Sequence, residues 1–356
     1  LLYALVFLIS SQTVVVSPVD IMVDKHRFSI VSWELQNLPD KWVHRILGKQ
    51  PDLSGEGQLE LAEKFFTSPE LRDPDSKRVV EEIIETAISA TIFQEDLGTF
   101  PAVDMALSPP PTVLVLSPRD RIERIFDVLL IPGLKDEDRR RLEDMILEQE
   151  NLSAIVENTG GLAVYPSVVI DDAGLYNSLV ITAHEWIHHW LFFKPLGRAF
   201  WDNSTMTTLN ETVADVAGKE IGRKAYASFT LVEELLEQST SHSPDGFHFQ
   251  KEMRITRLKS EDLLNSGDIL GAEEYMEERR LLFAENGYQL RKLNQAYFAF
   301  HGSYATSGAS ISPIGSYVEE LRKCSLSLKD FLDVASGFGD YEDLVVHVEN
   351  LKCSQN

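Results

Sequence analysis

The run His184-Glu185-Trp186-Ile187-His188, followed by Asn210-Glu211-Thr212-Val213-Ala214-Asp215, holds the residues of this chain best suited to chemistry. Two histidines at i and i+4 share one helical face, about one turn apart, which is the separation two imidazoles need to bind the same tetrahedral zinc. Glu185 then lies beside the metal and not on it. There it can take a proton from a water held at the site, the general-base role in a metal-assisted hydrolase. Such a centre needs a third protein ligand and keeps its fourth position open. Glu211 is the candidate for that ligand. Asp215, one turn later, is placed to accept the Nδ1 proton of a ligand histidine and fix its tautomer.

The surrounding residues sharpen the motif. Leu179, Val180, Ile181, Ala183, Trp186, Ile187, Trp190 and Leu191 make the first helix apolar enough to be buried. A buried helix does not carry two histidines and a glutamate without partners, and the second motif supplies them. Ala214 is small, which lets the two helices approach closely.

Taken together, H-E-x-x-H followed by N-E-x-x-A-D resembles the gluzincin metallopeptidases, the clan of thermolysin and neprilysin. The resemblance covers only residues 184–215. It implies that His184, His188 and Glu211 bind Zn²⁺, that Glu185 is the catalytic base, and that Asp215 supports a ligand histidine, His184. It departs from thermolysin-like enzymes in a slightly longer interval between His188 and Glu211, and it lacks the G-x-M-E-N signature of aminopeptidases. Gluzincins bring a downstream Tyr or His to the oxyanion of the tetrahedral intermediate, so the resemblance makes His301 and Tyr304 candidates for that role. Their sheet edge beside the active site aligns the substrate backbone, a part that Gly161–Ser167 would play here.

The rest of the chain reads as predominantly helical α+β. Gln58–Phe66, Lys77–Phe93, Asp136–Glu150 and Lys251–Leu264 have helical spacing, as does the long stretch Gly271–Tyr304, in which Tyr297, His301 and Tyr304 share a face. Phe28–Leu47 carries an apolar stripe interrupted at Pro39, suited to lying along a membrane surface or to covering the core, the commoner use of such a stripe. Thr112–Leu116 is a β-branched run, and Leu152–Glu157 and Leu162–Ile170 read as strands of a hairpin joined by Asn158-Thr159-Gly160-Gly161. The expected organisation is an apolar membrane anchor or signal remnant at 1–18, a helical region at 19–99, a zincin-like catalytic region at 100–226 with a small sheet before the H-E-x-x-H helix, and a helical region at 227–356.

With 33 basic and 56 acidic residues the net charge is −23, and a surface so acidic repels phosphate backbones, which argues against nucleic-acid partners. Leu1–Ser10 is almost wholly apolar, and Val14–Val16 continues the trend. That suggests a single-pass anchor with the catalytic domain outside the cytoplasm, or a secreted protein. Cys324 and Cys353 could pair in an oxidising compartment. The expected activity is zinc-dependent hydrolysis of peptide or protein substrates. Two rivals are an aminopeptidase of the same clan and a non-catalytic, membrane-anchored protein in which zinc staples two helices. An intact Glu185 argues against the second, because a structural site needs no base.

Overall fold

The computed structural model describes residues 17–36, 55–68, 70, 72–229 and 247–351. Leu1–Val16, the anchor or signal expected at the start, lies outside them, as do Leu38, Trp42, Val43, Ile46 and Cys353. Among the described residues the chain is predominantly helical, with two small three-stranded sheets. No helix among them is long and apolar enough to cross a membrane.

After α1 (Pro18–Val23) come α2 (Gly55–Thr67) and α3 (Pro74–Gln94). The start of α3 is set locally: the Asp73 side chain accepts from the Asp75 and Ser76 backbone, and Pro74 takes the first turn, where its missing N–H costs nothing. Strands β1 (Met105–Leu107), β2 (Thr112–Pro118) and β3 (Phe126–Leu130) follow, then α4 (Asp136–Glu150), β4 (Leu152–Asn158), β5 (Gly161–Leu162) and β6 (Ser167–Val169). The two motif helices are α5 (Leu175–Leu191) and α7 (Ser204–Phe229), with the short α6 (Pro195–Arg198) between them. Beyond lie α8 (Phe249–Asn265), α9 (Ile269–Glu285), α10 (Gln295–His301), α11 (Ile314–Cys324), α12 (Leu328–Ala335) and α13 (Tyr341–Asn350).

The largest core is built on α3, α5 and α7 and runs from Ala62 to Leu344, so it draws on both sides of the boundaries drawn at 99 and 226. Leu179, Ala183, Trp186, Ile187 and Leu191 of α5 bury against Leu209, Val213, Ala217 and Ile221 of α7. A second core joins β2 and β4 to α8, α9 and α10.

Three local expectations are corrected. Asn158–Gly161 is no hairpin turn, because β4 pairs with β2 in one sheet (order β3-β2-β4), while β5 belongs to the other (order β1-β6-β5). Leu162–Ile170 is not one strand. Pro166 lacks the N–H that a continuous ladder needs, and the run folds on itself as β5 paired antiparallel with β6. Gly271–Tyr304 is not one helix either: α9 ends before Gly287, whose φ of +88° suits glycine, and α10 ends at His301, leaving Tyr304 in a turn.

Candidate metal centre

Helical spacing puts His184 and His188 on one face of α5, and packing with α7 brings in the third donor. That packing is backbone to backbone. A Cβ on Gly218 would lie 2.9 Å from the Cα of His184, and one on Gly222 would lie 2.6 Å from the Cα of Val180. As the α7 position advances the α5 position recedes, so the helices run antiparallel. Ala214, Gly218 and Gly222 therefore form the strip along which the two motifs meet; only Ala214 was noticed in the sequence.

The result is a convergent trio. His184 Nε2 and His188 Nε2 stand 3.0 Å apart, and Glu211 Oε2 lies 3.4 and 3.5 Å from them. The three donor atoms fall within 4.8 Å of one another. Tetrahedral bonds of roughly 2.0–2.1 Å call for donor separations of roughly 3.3 Å. Glu211 Oε2 is buried with no hydrogen-bond donor, although an unpaired buried carboxylate oxygen is costly. Two imidazoles and a carboxylate are the donor set zinc favours, and the residues fit that ion.

The imidazole of His188 is oriented by a residue that the sequence reading left without a role. Asn210 Nδ2 donates to the Leu196 carbonyl at 3.2 Å, so its Oδ1 faces His188 Nδ1 at 2.9 Å and accepts its proton. The Nε2 lone pair is thereby turned toward Glu211. The signal was present, since Asn210 precedes Glu211 in the motif. Asp215 sits elsewhere than expected: its Oδ2 accepts from Thr306 Oγ1 at 2.8 Å and from Lys219 Nζ at 2.7 Å, and no hydrogen bond joins it to His184.

Glu185 is buried beside the trio, with its Oε1 against Gly161, where any Cβ would come within 2.4 Å of it. A glycine on β5 thus makes room for the carboxylate at the edge of the sheet. Burial raises the Glu185 pKa to about 8, with His188 opposing and Glu211 adding to the effect. For Glu211 burial also pushes upward, but the two imidazoles beside it outweigh that effect and hold the carboxyl well below the usual range. A bound cation would favour the ionised form of both.

Of the downstream candidates, Tyr304 comes nearer the trio, its ring centroid 6.4 Å from that of His184. The negative charge of Glu211, then burial, then Glu185 raise its pKa well above normal, so the phenol keeps its proton and can donate. His301 lines the same cleft, but its ring packs 4.2 Å from that of Tyr297, and burial lowers its pKa to about 4. Tyr297 itself is a core residue. His189 points away from the trio; it is buried near Tyr165 and held neutral, with its pKa lowered to about 4 chiefly by burial.

The trio opens onto a cleft of about 1760 Å³. Residues Asn158–Val164, including β5, form one wall, and aromatic rings from the stretch between the motif helices form another. Phe200 stands edge-on to His188, 6.2 Å between centroids, and Trp201 stands edge-on to Phe200 at 4.6 Å. Comparison of the chain with protein-family models, with curated proteins and with solved structures finds no match.

Proposed function

We propose that this protein is a zinc-dependent peptidase of gluzincin type, with a zincin-like catalytic region, that hydrolyses peptide bonds in an extended substrate. The observation that carries this reading is the convergence of His184, His188 and Glu211 at a cleft, with the buried Glu185 carboxylate beside them. An ion that only stapled α5 to α7 would need neither the cleft nor the glutamate. Bound zinc would lower the pKa of a water and polarise the scissile carbonyl.

The chain's own groups supply the remainder. Asn210 holds His188 in the tautomer that leaves Nε2 free to ligate. Glu185, seated against Gly161, takes the proton of the attacking water and passes it to the leaving amine. Tyr304 donates a hydrogen bond to the developing oxyanion, where a preset donor is most valuable. The backbone of β5, an edge strand lining the cleft, pairs with the substrate main chain and presents its carbonyl to the site.

Glu185→Gln tests the reading. The amide is close to isosteric with the acid and completes no coordination shell, so zinc content and melting temperature stay near wild type. Hydrolysis of a mixed peptide library, measured by mass spectrometry, falls by roughly two to four orders of magnitude. Absence of cleavage by the zinc-loaded wild type, or cleavage that survives the substitution, overturns the proposed mechanism.

A further inference from the structure

Tyr304 owes its place to no helix of its own. It follows the end of α10, and the two residues after it are tied to α7. The backbone N–H of Ala305 donates to Thr212 Oγ1 at 3.2 Å, and Thr306 Oγ1 donates to Asp215 Oδ2 at 2.8 Å. Thr212 Oγ1 donates its own proton to the Thr208 carbonyl at 2.6 Å, which leaves its lone pair for Ala305. Behind the turn, Gly315 of α11 comes so close that a Cβ there would lie 2.4 Å from the Ala305 carbonyl oxygen. The turn is therefore clamped between α11 and the helix that carries Glu211.

From these contacts we propose that Asp215, acting through Thr306, is a positioning residue for Tyr304, and not the support of a ligand imidazole. Thr212 and Asp215 follow Glu211 by one and four positions on one helix, so the same element sets the place of the metal-binding carboxylate and of the phenol. The other partner of Asp215, Lys219, is 58% exposed, and such a surface pair contributes little. Thr306 is the partner with consequences. The inference rests on the role given to Tyr304 under the proposed function.

The test is a mutant cycle in the zinc-loaded full chain, read by peptide hydrolysis, zinc content and amide hydrogen exchange. Tyr304→Phe lowers kcat by roughly 10²–10³-fold, the size of a lost oxyanion donor. Thr306→Val and Asp215→Ala each lower kcat by roughly tenfold or more, with KM and zinc stoichiometry unchanged, because a loosened turn misplaces the phenol. In the Tyr304→Phe background neither substitution costs anything further, since residues acting through one another are not additive. Full, additive losses in that background overturn the proposal. So does loss of zinc in Asp215→Ala but not in Thr306→Val, which would return Asp215 to an imidazole. Exchange gives a readout apart from activity: the Ala305 amide is protected in wild type and loses protection in Asp215→Ala and Thr306→Val. If the wild type cleaves no peptide, the proposed function fails by itself, and unchanged Ala305 protection in both variants then overturns the positioning role as well.

Discussion

The two edges of the β1-β6-β5 sheet are treated in opposite ways. At the β1 edge, Glu85 Oε1 accepts the Met105 N–H and Glu81 Oε1 accepts the Leu107 N–H, both at 2.8 Å. Carboxylates from α3 thus stand where a neighbouring strand's carbonyls would be, and the edge is closed to any further strand. At the other edge, among the described residues, β5 has no strand beyond it, and it lines the cleft next to Glu185. A protein that needed only to avoid aggregation would blunt both edges. Blunting one and leaving the other beside His184, His188 and Glu211 fits the proposed binding of an extended peptide.

That contrast can be broken from either side. The largest effect is expected at the open edge, where Gly161→Ala forces a methyl into the space held by the Glu185 carboxylate and the Ile181 side chain. A base displaced by about an ångström loses roughly 10²-fold in rate, so peptide hydrolysis falls by about that factor while zinc content is retained. Equal turnover in Gly161→Ala would show that Glu185 does not act from this seat.

The closed edge should respond in stability and not in chemistry. Glu85→Ala leaves the buried Met105 N–H without its acceptor, a loss of about 1–3 kcal/mol in chemical denaturation, with kcat per folded molecule unchanged. A fall in kcat without a fall in stability would erase the distinction between the edges.

A smaller effect, far from both edges, calibrates the other two. Glu220 is held by Arg322 and Lys224, whose hydrogen bonds and charges outweigh the opposing effect of burial and lower its pKa to about 2. A depressed carboxylate stabilises the fold above its unfolded pKa of about 4.5, and that contribution is lost as the pH falls toward about 2. Glu220→Gln should therefore flatten the decline in stability between those two values and cost under about 1 kcal/mol at neutral pH. An acid limb as steep as in wild type would show that Glu220 is not among the groups that govern acid unfolding.

Much of this molecule was legible before folding. The bounds of α4 at Asp136 and Glu150 coincide with the charged amphipathic run, and α2, α3 and α8 lie within a few residues of the periodic segments that announced them. The shared face of His184 and His188 follows from helix geometry alone, as do the position of Glu185 beside them and the placing of Glu211 and Asp215 one turn apart. These are relations over three or four residues, which the 3.6-residue repeat dictates whatever the helix packs against.

Relations across the chain were settled by packing. The choice of Asn210 over Asp215 as a histidine's partner turned on the rotation of α7 against α5, which the glycines at 218 and 222 permit and no periodicity reveals. Gly160-Gly161 carries the composition of a tight turn, yet Gly161 is small because a carboxylate from another element needs its space. Tyr304 and His301 looked equivalent while they shared a presumed helix; the end of α10 separated them, and two hydrogen bonds to α7 carried one toward the trio of His184, His188 and Glu211. A sequence determines what each residue can offer and how it stands to its helical neighbours. Which offers meet is decided by the tertiary fold, because a contact between distant segments depends on the shape and polarity of every side chain packed between them.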